Sequence, residues 1–362
     1  LIGTHTYSDV REGGFDKIQN MEIFAIRWIA KLLGGIVAGE GKTDGYFCGG
    51  ATEANIEGMW LARQWMRSFN NETIVPMYSK TTHYSICKAC DVLGLNIRDD
   101  IKITDKLEMD LEDIEAKIRD RISRGYHNFI IIPTAGTYIS GAIDPISEIN
   151  DLVERISTEH EGLHFYIHVD AAFGGFTIPF LAPDLKIGFQ NKHVMSMAVD
   201  GDKMGLLPYP SGIFLCRNGL QKHITRDVHY IRGAHDDTLS GSRSGLGQAC
   251  AWYMFNKYGF DGYRQLAQDA IDHRDKLVKL VSELDWGDSP ARIQAVAHSP
   301  YVNQLPMVID IKDGKIPDEL LESPLLKGYN LRSESFPING EDVMIYKVCI
   351  MRHTYPHIEQ FV

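Results

Sequence analysis

No apolar run in this sequence is long enough to span a bilayer, and no cluster of Lys and Arg offsets a net charge of −11. The first absence speaks against a membrane-spanning helix. The second speaks against nucleic acid and anionic lipid surfaces as partners. Cysteine is sparse: six, at positions 48, 87, 90, 216, 250 and 349. Cys87-Lys88-Ala89-Cys90 is a lone C-x-x-C with no second pair. Zinc, or any other metal centre, is therefore not expected, and reduced thiols in a cytoplasmic setting are. Repeats and low-complexity tracts are also lacking. The opening Leu1-Ile2-Gly3-Thr4 has neither an initiator methionine nor a signal-peptide pattern, and reads as the interior of a longer chain.

What is present is a chain of 362 residues, 44% of them apolar, enough for a large core and two unequal domains. Helical spacing from Met21 to Leu33 (Ile23, Ile26, Ile29 or Ala30, Leu33) predicts an N-terminal helix. From Gly45 to Cys216 strand and helix patterns alternate, which implies an α/β fold with a mainly parallel sheet covered on both faces. A strand is expected over 73–78, a helix from the Thr82-His83-Tyr84 turn to Leu93-Gly94, and a helical stripe at Leu111, Ile114, Ile118 and Ile122 capped by Asp110. Asp144-Pro145 reads as N-cap and first residue of the next helix. Two further helices reach Leu284, and short strands follow Trp286. The expected organisation is an N-terminal helical segment 1–44, a large domain 45–285 and a small α+β domain 286–362.

The chemistry centres on Ser196-Met197-Ala198-Val199-Asp200-Gly201-Asp202-Lys203, where a buried strand delivers Lys203 into a loop flanked by Asp200 and Asp202. Burial there depresses an amine's pKa and makes it a nucleophile toward carbonyls, including the aldehyde of pyridoxal phosphate. That cofactor also needs a carboxylate at its ring nitrogen and a small-residue floor. Asp170 and Ala172, in His168-Val169-Asp170-Ala171-Ala172-Phe173-Gly174-Gly175, supply both. Alone, Asp170 would read as a helix cap; with Lys203 one strand later the cofactor reading prevails. Gly50, Ala51 and Thr52 lead into a helix N-terminus and form the expected phosphate cradle. His83, at a strand-to-helix turn, would stack on the cofactor ring opposite Ala172. The loop Thr134-Ala135-Gly136-Thr137 follows a strand where α/β sheets place ligands. Arg352 is a candidate carboxylate binder, although a surface arginine fits as well.

Gly49-Gly50-Ala51-Thr52-Glu53-Ala54-Asn55, His83-Tyr84-Ser85, His168 to Gly175, Lys203-Met204 and Ser240-Gly241-Ser242-Arg243 occur in the order and approximate spacing of one family. On them the chain resembles the group II pyridoxal-phosphate-dependent amino acid decarboxylases, in particular bacterial histidine and archaeal tyrosine or aspartate decarboxylases. The resemblance implies the aspartate-aminotransferase fold type I. It implies removal of CO₂ from an L-amino acid, with Lys203 as Schiff-base lysine, Asp170 at the ring nitrogen, His83 on the ring and Thr137 at the ring hydroxyl. It also implies a homodimer with a shared active site, in which Ser240 and Ser242 reach a neighbour's cofactor phosphate. One residue departs from the pattern: Asp202 stands where the family places histidine. A carboxylate beside a phosphate dianion is repulsive, so Asp202 is expected to point elsewhere or pair with a base. The rival readings are a carbon–carbon lyase acting on a phosphorylated amino alcohol, an aldehyde-forming decarboxylase, and a non-catalytic homologue acting as a binding module.

Overall fold

A computed structural model describes residues 3–5, 15–39, 41–229, 235–285, 291–296, 299–311, 332–338 and 341–358. Its centre is a seven-stranded sheet, in the order Asp44–Cys48, Gly212–Cys216, Val194–Asp200, His164–Ala171, Asn128–Ile131, Ile74–Ser79, Asp99–Ile101. Gly212–Cys216 pairs antiparallel with both neighbours, and every other pairing is parallel. The sheet is therefore mainly parallel, as the alternation implies. Strands such as Ile74–Ser79 and Val194–Asp200 are almost wholly buried because helices cover both faces. On one face Ala51–Arg67 and Tyr84–Leu93 close a core with Met59, Leu61, Ile86, Tyr166 and Phe214. On the other, Asp16–Leu32, Leu111–Ser123, Ile146–Glu159 and Leu246–Glu283 pack around Ile29, Ile118, Val153, Ile167 and Phe255.

Most expected elements are present, with shifted bounds. The strand expected over 73–78 is Ile74–Ser79. The two helices expected before Leu284 form one element, Leu246–Glu283, broken at Gly259, whose φ of 59° is non-helical. The N-terminal helix runs Asp16–Leu32 and starts earlier than its apolar spacing indicates. Its buried stripe is also rotated: Ile23 is 42% exposed, while Glu22 is buried against Arg243 at 2.6 Å. Asp110 caps its helix by accepting from Glu112 N and Asp113 N. Asp144 does not cap the next one. Pro145 holds the N-cap position, and the buried Asp144 carboxylate accepts from Met109 N (2.7 Å) and Thr134 N (2.6 Å), fastening the threonine loop.

Beyond the long helix lies a separate antiparallel sheet, in the order Ala291–Ala295, Gln304–Ile311, Glu341–Cys349, Arg332–Ile338. Leu277 and Val281 of the helix pack on Leu305, Met307 and Ile350, and buried Arg274 donates to Ser299 O and Val302 O at 2.6 Å each. Trp286 and Leu331, the expected starts of this region and of one of its strands, lie outside the described residues. Among the described residues no helix is long and apolar enough to cross a membrane.

Candidate active site

The carboxyl ends of the parallel strands and the N-terminus of the Ala51–Arg67 helix converge on a cleft of about 320 Å³. Gly50, Ala51, Thr52, His83, Asp170, Ala172, Asp200, Asp202 and Lys203 all line it. Gly50 sits at the helix N-cap with φ 138°, a conformation that favours glycine, and no side chain caps the helix. The first-turn N–H groups and the helix dipole therefore face the cleft, the arrangement that binds phosphate.

Lys203 leaves the end of Val194–Asp200 in a tight turn. Its Nζ lies 3.2 Å from Asp200 Oδ2 and 3.9 Å from the centroid of Phe173, which also lines the cleft. Asp170, at 2% exposure, is held from two directions: Ala172 N donates to Oδ1 (3.1 Å) and Asn55 Nδ2 to Oδ2 (3.0 Å). His83 is the N-cap of Tyr84–Leu93 and accepts from Ser85 N through Nδ1. Burial holds its pKa below the usual imidazole value, against an opposing pull from Asp170.

Asp202 departs from expectation. It has not turned out of the cleft: it lines it beside Asp200, and its buried Oδ1 has no hydrogen-bond partner among the described residues. Lys203, the nearby cation, pairs with Asp200 instead. Burial and the adjacent Asp200 charge push Asp202 up to about 6. Burial likewise raises Asp200.

Thr137 also departs. It is fully buried outside the cleft lining, its Oγ1 bonded to Ser140 Oγ (2.8 Å) and accepting from Ala142 N (3.1 Å). Thr134, three residues earlier, lines the cleft and has a buried Oγ1 with no partner among the described residues. Ser240 and Ser242 do not line this cleft; Ser240 is half-buried and Ser242 exposed on the short strand Ser242–Ser244. Their neighbour Arg243 turns inward to Glu22 and the Phe47 carbonyl, which fixes the loop to the N-terminal helix. Arg352 is exposed on Arg352–His357 and stays out of the cleft lining. Lys347 comes closer, with Nζ 5.2 Å from the Phe173 centroid and 5.9 Å from that of Tyr138, both cleft residues.

A strand-end lysine beside a buried carboxylate, an uncapped helix N-terminus and an unpartnered threonine hydroxyl define a site for an aldehyde cofactor bearing a phosphate, and they fit pyridoxal phosphate. The family comparison agrees. The model of the pyridoxal-dependent decarboxylase conserved domain matches residues 17–287, and the chain belongs to that family. A tryptophan decarboxylase of Clostridium sporogenes is 34% identical over 294 residues, covering 78% of this chain and 67% of that protein. A probable L-aspartate decarboxylase of Archaeoglobus fulgidus is 32% identical over 259 residues, covering 71% of this chain and 66% of that one. The chain thus spans about two thirds of the length of these relatives. Among solved structures, Lactobacillus brevis glutamate decarboxylase superposes with a TM-score of 0.81 at 21% identity, over 96% of this chain and 78% of that chain. This likeness establishes the fold, a pyridoxal-phosphate fold of type I.

Residues the sequence reading passed over are Asn55 and Thr134, which line the cleft, Ser85, His168 and Ser196, which are buried outside its lining, and Lys347 beside it. Asn55 and His168 fall inside recognised motifs. The signal for Asn55 is a carboxamide one turn into a helix, on the face that carries Ala51 and Ala54.

Proposed function

We propose that the protein removes CO₂ from an L-amino acid with pyridoxal phosphate as cofactor. The observation that carries this reading is the meeting of Lys203 and Asp170 in one cleft with the N-terminus of Ala51–Arg67. Lys203 Nζ is placed to hold the cofactor aldehyde, and Gly50, Ala51 and Thr52 to bind its phosphate. Asp170, fixed by Asn55 and Ala172 N, keeps a proton on the ring nitrogen. His83 covers one face of the ring and Ala172 the other, and Thr134 takes the ring hydroxyl in place of Thr137. Bound pyridoxal phosphate supplies the electron sink that accepts the bonding pair as CO₂ departs. Family membership favours this chemistry over carbon–carbon cleavage. Lys203, Asp170 and His83 converging on one cleft oppose the non-catalytic reading.

The same reading takes the protein as a homodimer in which Ser240 and Ser242 serve the neighbour's site; their position outside their own cleft supports it. It places residues 286–362 in a small C-terminal domain, supported by the separate antiparallel sheet, and the protein in the cytoplasm, supported by unpaired cysteines.

The test is the visible spectrum of the purified protein with added pyridoxal phosphate, before and after borohydride, beside Lys203→Ala. A yellow band removed by borohydride and lost in the variant, with CO₂ and a primary amine released from one amino acid, is the expected result. No band at saturating cofactor, or an aldehyde product, overturns the proposal.

A further inference from the structure

From the cleft inward, buried polar side chains form a continuous chain whose hydrogen-bond directions are fixed. It starts at Asp170, whose carboxylate can only accept. The Asn55 group 3.0 Å from Asp170 Oδ2 must therefore be the amide nitrogen, and its second hydrogen goes to Ser85 Oγ at 2.9 Å. Asn55 Oδ1 then accepts from His168 Nε2 at 3.0 Å, which puts the His168 proton on Nε2. His168 Nδ1 accepts from Ser196 Oγ at 2.7 Å. His168 is fully buried, and burial lowers it to about 4, in keeping with a neutral ring.

The other arm runs to His83. Ser85 Oγ accepts from Asn55, which leaves its own hydrogen for His83 Nδ1 at 2.9 Å. Ser85 N donates to the same nitrogen at 3.3 Å. With two donors on Nδ1, the neutral ring carries its proton on Nε2. A proton added at Nδ1 would meet both donors, so the network opposes the imidazolium form. All of Asn55, Ser85, His168 and Ser196 are fully buried, so water cannot substitute for a missing partner.

We propose that Asn55 is the positioning residue of this site: its one amide orients the Asp170 carboxylate and, through Ser85, holds His83 as the neutral ring protonated at Nε2. The roles of Asp170 and His83 rest on the function proposed above, but the relay itself belongs to the protein without cofactor. Asn55 thereby couples the group at the ring nitrogen to the group on the ring face. An altered amide changes both at once, whereas an altered Ser85 changes His83 alone. The charges acting on His83 from the surrounding elements are Asp170, Lys203, Asp200 and Lys347, and all of them remain in the variants.

The experiment is nitrogen NMR of the full chain, labelled at histidine and free of cofactor, titrated with pH for the wild type, Ser85→Ala and Asn55→Asp. In the wild type His83 is expected to show an unprotonated Nδ1 and a protonated Nε2. Ser85→Ala removes the hydroxyl donor and is expected to mix the tautomers of His83, leaving the His168 signals in place. Asn55→Asp keeps the shape, removes both N–H donors and sets a second carboxylate against Asp170. Its His83 is expected to gain affinity for a proton by about tenfold, a shift of about one pKa unit, with His168 also perturbed. Wild-type tautomer and titration of His83 in both variants overturn the proposal, as does a wild-type His83 protonated at Nδ1. Should Asn55→Asp fail to fold, Asn55→Ala, which removes the same two N–H donors without adding a charge, takes its place, with His83 and His168 both expected to be perturbed. Absence of a cofactor band would bear on the proposed function and leave this measurement intact.

Discussion

Asp202 lies against Asp200 in the cleft, and each keeps one buried carboxylate oxygen without a hydrogen-bond partner among the described residues. One lysine, Lys203, is paired with one of the two. Cofactor affinity should therefore depend on pH. Asp202 titrates near 6, so below that value it is neutral and tolerates a phosphate, while above it the carboxylate repels the dianion. Equilibrium titration with pyridoxal phosphate should show binding that weakens as pH rises from 5 to 8. Asp202→Asn should flatten the dependence and strengthen binding at pH 8 by about tenfold, the effect of roughly 1.4 kcal/mol. Equal affinity of the two proteins at pH 8 would sink the idea.

Much of the site was readable because its main groups stand at strand ends, where local sequence signals are strong. Asp170, Lys203 and His83 each follow a buried apolar run, and Gly50 to Thr52 precede a helix. What escaped depends on partners far along the chain. Asn55 meets Ser85 across 30 residues, His168 across 113 and Asp170 across 115. Which of Thr134 and Thr137 faces the cleft is set by the fold of one loop, itself fastened by Asp144. Burial of Glu22 in place of Ile23 needs Arg243, 221 residues later. Periodicity sees apolar faces and is blind to a buried ion pair that rotates one.

Lys347, and not Arg352, should affect substrate binding. Its Nζ stands over Phe173 and Tyr138 at the cleft, whereas Arg352 is exposed outside it. With the amino acid identified by CO₂ release, Lys347→Ala should raise KM by about tenfold, the loss of a charge-assisted contact of some 1.5 kcal/mol. Arg352→Ala should leave KM within twofold of wild type, as expected at roughly zero for an exposed charge away from the site. Steady-state kinetics check both, and reversed effects would return the role to Arg352.

Glu57 is fully buried on the Ala51–Arg67 helix, with the Tyr46 hydroxyl as a polar neighbour that opposes the rise in its pKa. Burial first, then the charges of Asp237, Glu53 and Asp236, raise it to about 8. The folded protein therefore binds this proton more tightly than the unfolded chain, whose glutamate titrates at 4.5. The sign follows: Glu57's contribution to stability is full below pH 4.5 and declines as pH climbs to 8. Glu57→Gln, nearly the shape of the neutral acid, should abolish that decline. The variant should be more stable at pH 8 by on the order of 4 kcal/mol, with the difference vanishing near pH 4.5. Urea unfolding at the two pH values measures it, and an equal gap at both would refute the assignment.

Gly58→Ala sets two effects against each other. Alanine in a helix interior is favoured over glycine by about 1 kcal/mol. A Cβ at position 58, however, would lie 2.2 Å from His168 Cε1 and 2.3 Å from Nδ1. That ring cannot step aside cheaply, because Ser196 holds one nitrogen and Asn55 the other. Overpacking of such a site costs about 1–3 kcal/mol, and moving the ring also breaks a buried hydrogen bond worth a further ~1 kcal/mol or more. The loss wins. Gly58→Ala should lower stability by about 2 kcal/mol or more. Since displaced His168 no longer braces Asn55, it should also weaken cofactor binding without any contact to the cleft. Thermal unfolding and cofactor titration of the variant check the two parts. A protein as stable as wild type would show that the His168 ring can yield, and that the relay is not rigid enough to position Asp170.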